Sequence, residues 1–114
     1  MDELKIVDDR SSGRLEAFEG ETRVGAIVYF ALDAEPRALV AVHTVVERAY
    51  EGKGIAGSLA REFYALAAAE GVPVVPLCSY AAAWAGRHPE EAPAAPPEVV
   101  RAAQLQLEAS PGLW

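Results

Sequence analysis

At 114 residues, with a formal net charge of −7 and a pI near 4.7, the chain has the length of one domain. The acidic balance argues against nucleic acid and against anionic membrane surfaces, and it suits a cationic partner such as an amine. One cysteine, Cys78, excludes an internal disulfide and fits the reducing cytoplasm; Met-Asp-Glu-Leu-Lys lacks the basic and apolar regions of a secretory signal, and no apolar run nears the ~20 residues of a membrane span.

Leu4 and Ile6 mark a short first strand, and Arg10-Ser11-Ser12-Gly13 a turn. Leu15 and Phe18 mark a second strand, which turns at Glu19-Gly20-Glu21. Val24 to Leu32 reads as a third, mostly buried strand, Asp33-Ala34-Glu35-Pro36 as a turn, and Ala38 to Val46 as a central fourth strand. Short turns join these four, which predicts an antiparallel meander. The period then changes: Ile55, Ala56, Leu59, Ala60, Phe63, Leu66 and Ala67 recur at helical spacing, and Gly71 is placed to end that helix. Val72 to Leu77 reads as a fifth strand whose Pro73 and Pro76 limit its ladder bonds. A short helix follows over Ser79 to Gly86. Residues 90–97 read as a linker, and Pro97 opens a last helix over Glu98 to Glu108, closed by Ser110-Pro111-Gly112. Its apolar stripe (Val99, Val100, Ala103, Leu107) must cover something, and its own sheet is the favoured choice over a second subunit.

The most informative stretch is residues 47–59, where Gly52, Gly54 and Gly57 fall between a strand and a helix. Backbone N–H groups at such a turn can meet a phosphate. Gly52, Gly54 and Gly57 also match the spacing of the dinucleotide fingerprint, but that motif opens a parallel βαβ unit, and here four meander strands come first. No Gly-Lys-Ser/Thr follows for a Walker loop. A plain tight turn is the alternative.

Three linked segments sharpen the reading. His43-Thr44-Val45-Val46, Tyr50-Glu51-Gly52-Lys53-Gly54-Ile55-Ala56, and Val75-Pro76-Leu77-Cys78-Ser79-Tyr80 followed by Arg87-His88-Pro89-Glu90 stand in order. Through them the chain resembles the small members of the GNAT superfamily of acyl-CoA N-acyltransferases, from about residue 3 to residue 91. The resemblance implies an α+β fold with a mixed, mostly antiparallel sheet, a GNAT-like domain over residues 1–91 and a C-terminal extension over 92–114. It implies acetyl-CoA as co-substrate, bound by Val45, Val46, Glu51, Gly52, Lys53, Gly54, Ile55, Ala56 and Gly57, and no metal. It also implies that the fourth and fifth strands splay apart around the thioester. Glu51 departs from the pattern, because the family usually has Arg or Gln there, and a carboxylate near a diphosphate is unfavourable if it points inward.

Acyl transfer requires an amine that has lost its proton, a polarised thioester carbonyl and a proton for the leaving thiolate. Cys78 precedes a predicted helix, whose N–H donors favour negative charge, and the resemblance makes it the active-site cysteine. His43, on the fourth strand, is the candidate base, expected to face the same gap. Tyr80 is the candidate proton donor, Tyr50 a second, and His88 a helix cap or surface residue. Direct attack by the amine and an acyl-Cys78 intermediate both remain open. The expected partner is an amine on a small molecule or protein, with the chain a monomer or homodimer. A CoA-binding module without transferase activity and a protein-interaction domain that only keeps the fold are the alternatives.

Overall fold

The computed structural model describes residues 4–32, 35 and 37–110. Of the expected turn at residues 33–36 only Glu35 is therefore covered, and Pro111, Gly112 and Trp114 lie outside the described residues. The fold is α+β, with one five-stranded sheet in the order β1-β2-β3-β4-β5. The first four strands, β1 (Leu4–Asp9), β2 (Arg14–Glu19), β3 (Thr22–Ala31) and β4 (Leu39–Val46), form the expected antiparallel meander. Helix α1 (Ile55–Glu70) then crosses to β5 (Val74–Pro76), which pairs parallel to β4. Helices α2 (Ser79–Arg87) and α3 (Pro97–Glu108) complete the chain.

The first turn is held by local polar chemistry. Ser11 Oγ and Ser12 N–H both donate to the Asp9 carboxylate, at 3.0 and 3.4 Å. Gly13 sits at φ +69°, and a Cβ there would stand 2.6 Å from the Tyr29 carbonyl oxygen, so no other residue fits without moving β3. Behind it the Tyr29 hydroxyl donates to Asp8 and accepts from Arg10 Nε at 2.9 Å, and Arg10 also pairs with Glu70 at the end of α1. That network ties the meander to the helix. Burial first, and then the neighbouring Asp8 carboxylate, push the Tyr29 phenol well above its ordinary range.

The sheet separates two apolar layers. On one face, Leu59, Phe63 and Ala67 of α1 and Ala81 and Trp84 of α2 pack on Leu15, Ile27, Tyr29, Leu39 and Ala41. Phe63 meets Tyr29 edge-on, with ring centroids 5.1 Å apart. On the other face, Val99 and Ala103 of α3 pack on Phe30, Val40, Val42 and Val75. The last helix thus covers its own sheet, the choice its stripe favoured. It covers only part of that face, over β3, β4 and β5: Val7 and Val45 remain 40% and 52% exposed.

The fifth strand is shorter than the 72–77 expected. Proline has no N–H, so Pro73 and Pro76 cannot donate to the ladder. Pairing is confined to Leu39–Val74, Val40–Val75 and Ala41–Pro76. The N–H groups of Leu77 and Cys78 then converge on one oxygen, that of Ala41, both at 3.0 Å. Beyond Ala41 the edge of β4 has no β5 partner, which is the splay the resemblance implied. Among the described residues, no helix is long and apolar enough to cross a membrane.

Candidate active site

Where β4 parts from β5, a cavity of about 410 Å³ opens on the α1 face of the sheet. Its walls come from the strand end (Thr44, Val46), the glycine loop, the first turn of α1, and Tyr80 at the start of α2.

The loop makes that wall rich in donors. Gly54 enters the helix at φ +81°, and no side chain caps it. The first intrahelical bond of the turn runs from Ser58 N–H to the Gly54 oxygen at 3.0 Å. The N–H groups of Ile55, Ala56 and Gly57 precede it and have no acceptor four residues back within the helix. A Cβ at Gly52 or Gly54 would meet nothing within 4 Å, so glycine is needed there for its backbone angle, and the space beside it is free for a ligand. An uncapped helix start of this length carries about half a positive charge and suits an anion. Lys53 lies outside the cavity wall, with Nζ 5.1 Å from the centre of the Tyr50 ring. Tyr50 itself lines the cavity, and so does Glu51.

The chemistry-bearing side chains divide between the two faces. Cys78 is 8% exposed and caps α2: its Sγ accepts from Ala81 N–H at 3.4 Å and lies 3.1 Å from Thr44 Oγ1. It does not line the cavity, whereas Thr44 and Tyr80 do. The Tyr80 hydroxyl reaches across to α1, 3.6 Å from where a Cβ on Gly57 would stand.

His43 does not join Cys78 on the α1 face. Ile27 and Tyr29 belong to the α1-side core and pair with Thr44 and Ala41, while the intervening Val28 pairs with His43. Directly opposed residues share a face of the sheet. One extra residue in β4, Val42, bulges between these pairs and reverses the alternation, so Thr44 and Val46 turn toward α1 and His43 toward the other face. The same shift places Val45 opposite Ala26, exposed and off the cavity wall.

Of the expected coenzyme-binding residues, Val46, Glu51, Gly52, Gly54, Ile55, Ala56 and Gly57 meet at the cavity, and Val45 and Lys53 do not. Thr44 is the residue that sequence reasoning missed, since a regular strand carrying His43 inward would carry Thr44 outward. His88, expected to cap a helix, closes α2: its N–H donates to the Ala85 oxygen at 3.1 Å and its Nδ1 to the Trp84 oxygen at 2.9 Å.

Residues 14–94 match the profile of a family described as GCN5-related N-acetyl-transferase. Among solved structures, the chain is similar to an aminoglycoside acetyltransferase, HMB0005, from an uncultured soil metagenomic sample, with 26% identity and a TM-score of 0.50. That likeness covers 57% of this chain and 44% of the other, so the chain spans less than half of that protein's length. No curated protein matches. The family match runs from β2 through β4, the glycine loop, α1, β5 and α2, and so takes in every residue that lines the cavity, and the chain belongs to the GCN5-related N-acetyl-transferase family.

Proposed function

We propose that the protein is an acetyl-CoA-dependent N-acetyltransferase that transfers an acetyl group to a primary amine. The observation that carries this reading is the uncapped, glycine-led start of α1 opening into a cavity beside the splayed strands. The fit is favourable: Ile55, Ala56 and Gly57 N–H groups offer donors to a diphosphate, and Gly52 and Gly54 leave it room. Acetyl-CoA supplies the thioester carbonyl. Thr44 and Val46, on the unpaired edge of β4, flank the path from the loop to the gap. In this reading Tyr80, one of three hydroxyl-bearing residues on the cavity wall with Thr44 and Tyr50, gives a proton to the leaving sulfur, and His43, exposed on the opposite face of the sheet, takes one from the amine.

The burial of Cys78 behind Thr44 and the two contacts of its sulfur favour direct attack over an acyl-cysteine. Its free thiol fits a cytoplasmic protein. On the face carrying His43, the β1–β2 region has no helix over it among the described residues, and only the Arg10–Ser12 turn joins β1 to β2. That openness favours an amine on a peptide, on a protein or on an extended polyamine-like molecule over an enclosed metabolite. The aminoglycoside named for the structural neighbour is one member of the cationic class to test. Glu51 at the cavity wall supports a second reading, a CoA-binding module without transferase activity.

Thiol release from acetyl-CoA against a panel of primary amines separates the two. Amine-dependent release in the wild type, reduced about 100-fold in kcat by Tyr80→Phe with KM for acetyl-CoA little changed, supports the transferase. CoA binding with no release for any amine supports the module.

A further inference from the structure

Trp84 is a buried polar group that neither the core nor the proposed chemistry uses in full. It is 3% exposed. Its ring stacks on Tyr64 at 5.8 Å and on His88 at 4.1 Å, and the Arg61 guanidinium lies 5.6 Å from its centre. The edge that carries Nε1 looks elsewhere. Nε1 stands 3.7 Å from the point a Cβ on Gly57 would occupy, beside the Tyr80 hydroxyl at 3.6 Å from the same point. Among the described residues none accepts a hydrogen bond from this indole N–H. Buried tryptophan N–H groups usually have an acceptor, and leaving one unpaired is unfavourable.

A Cβ on Gly57 would only reach ordinary contact distance of this donor, and Gly57 and Tyr80, its two neighbours there, both line the cavity, whereas Trp84 itself stands behind the lining residues. Gly57 also carries one of the first-turn N–H groups of α1 that have no acceptor within the helix. Donors from two helices therefore meet at Gly57, and among the described residues no carboxylate is paired to them. Arg61, stacked on Trp84, is held by Glu91 at 2.7 Å and adds no free donor at that spot. The partner this arrangement lacks is an anionic oxygen.

We propose that Trp84 is a ligand-binding residue, its indole N–H donating to a phosphate oxygen of the diphosphate held at the N-terminus of α1. This rests on the acyl-CoA reading of the cavity. It makes Gly57 a specificity position as well, because any side chain there stands between donor and ligand.

The test is a titration of the ¹⁵N-labelled wild-type protein with CoA, followed by binding calorimetry on the wild type and Trp84→Phe. Phe keeps an aromatic ring between Tyr64 and His88 and removes the donor together with part of the ring volume, so the wild-type indole resonance is read beside it. The expected result is that the Trp84 indole N–H resonance moves together with the amides of residues 55–57, and that the Kd of Trp84→Phe rises about tenfold, as for loss of one charge-assisted donor. An indole resonance that stays in place while the amides of 55–57 move overturns the proposal, and so does an unchanged Kd in a folded Trp84→Phe. CoA that leaves residues 55–57 unmoved overturns the acyl-CoA reading itself. The wild-type resonance decides the matter if the variant does not fold.

Discussion

Cys78 shows how one residue type supports two roles and how geometry separates them. A cysteine ahead of a helix has the look of a nucleophile, yet here its sulfur closes the first turn of α2 and rests against Thr44 Oγ1. Cys78→Ala should therefore destabilise the protein by about 1 kcal/mol, the usual effect of losing an N-cap, with kcat falling no more than a few-fold. Chemical denaturation and steady-state kinetics on the same preparation check both halves, and loss of all activity in a folded Cys78→Ala protein would restore the acyl-cysteine route. Tyr80, by contrast, was legible as a candidate from its place after Cys78, and the fold sets its hydroxyl at the cavity. His43 was legible as a residue type and not as an orientation. Its direction depends on a single extra residue in β4, and a bulge leaves no mark in a run of valines and alanines.

Among the elements, the strands of the meander and the three helices were readable because each shows its own period in the sequence: two in β1 and β2, 3.6 in α1. The ends of β5 were not, because two prolines withdraw N–H donors and the adjoining N–H groups bond to the Ala41 oxygen instead. The proposed function turns on the N-terminus of α1. Gly57 lies in its first turn with helical geometry, and a Cβ there would make only ordinary contacts, at 3.6 and 3.7 Å. Gly57→Ala should leave the fold as stable or raise it by up to about 1 kcal/mol, since alanine favours helix over glycine. The same methyl enters the cavity, so CoA affinity should fall. Thermal unfolding and calorimetry on this variant read the two effects separately, and affinity equal to the wild type would place the ligand elsewhere.

The whole molecule is a sheet covered on one face by α1 and α2 and at one end of the other face by α3, which leaves the β1–β2 end open. Its stability should respond to alkali through two tyrosines. Burial pushes the Tyr64 phenol up to about 12, and burial and Asp8 push Tyr29 higher than its ordinary value. A phenol raised in the folded state contributes stability that is complete below its unfolded value of about 10. That contribution is lost as pH climbs from there through the folded value, because the unfolded chain releases the proton first. Tm should thus begin to fall above about pH 10, and Tyr64→Phe should make the fall shallower; an equal slope in the two proteins would contradict this assignment. The central claim, that the start of α1 and the splayed strands form an acyl-CoA site, is tested most directly by a crystal structure of the protein grown with CoA. The account predicts diphosphate oxygens about 3 Å from the N–H groups of Ile55, Ala56 and Gly57, with the sulfur end in the gap beside Tyr80. A diphosphate bound away from the α1 N-terminus, or no CoA bound at millimolar concentration, would contradict it.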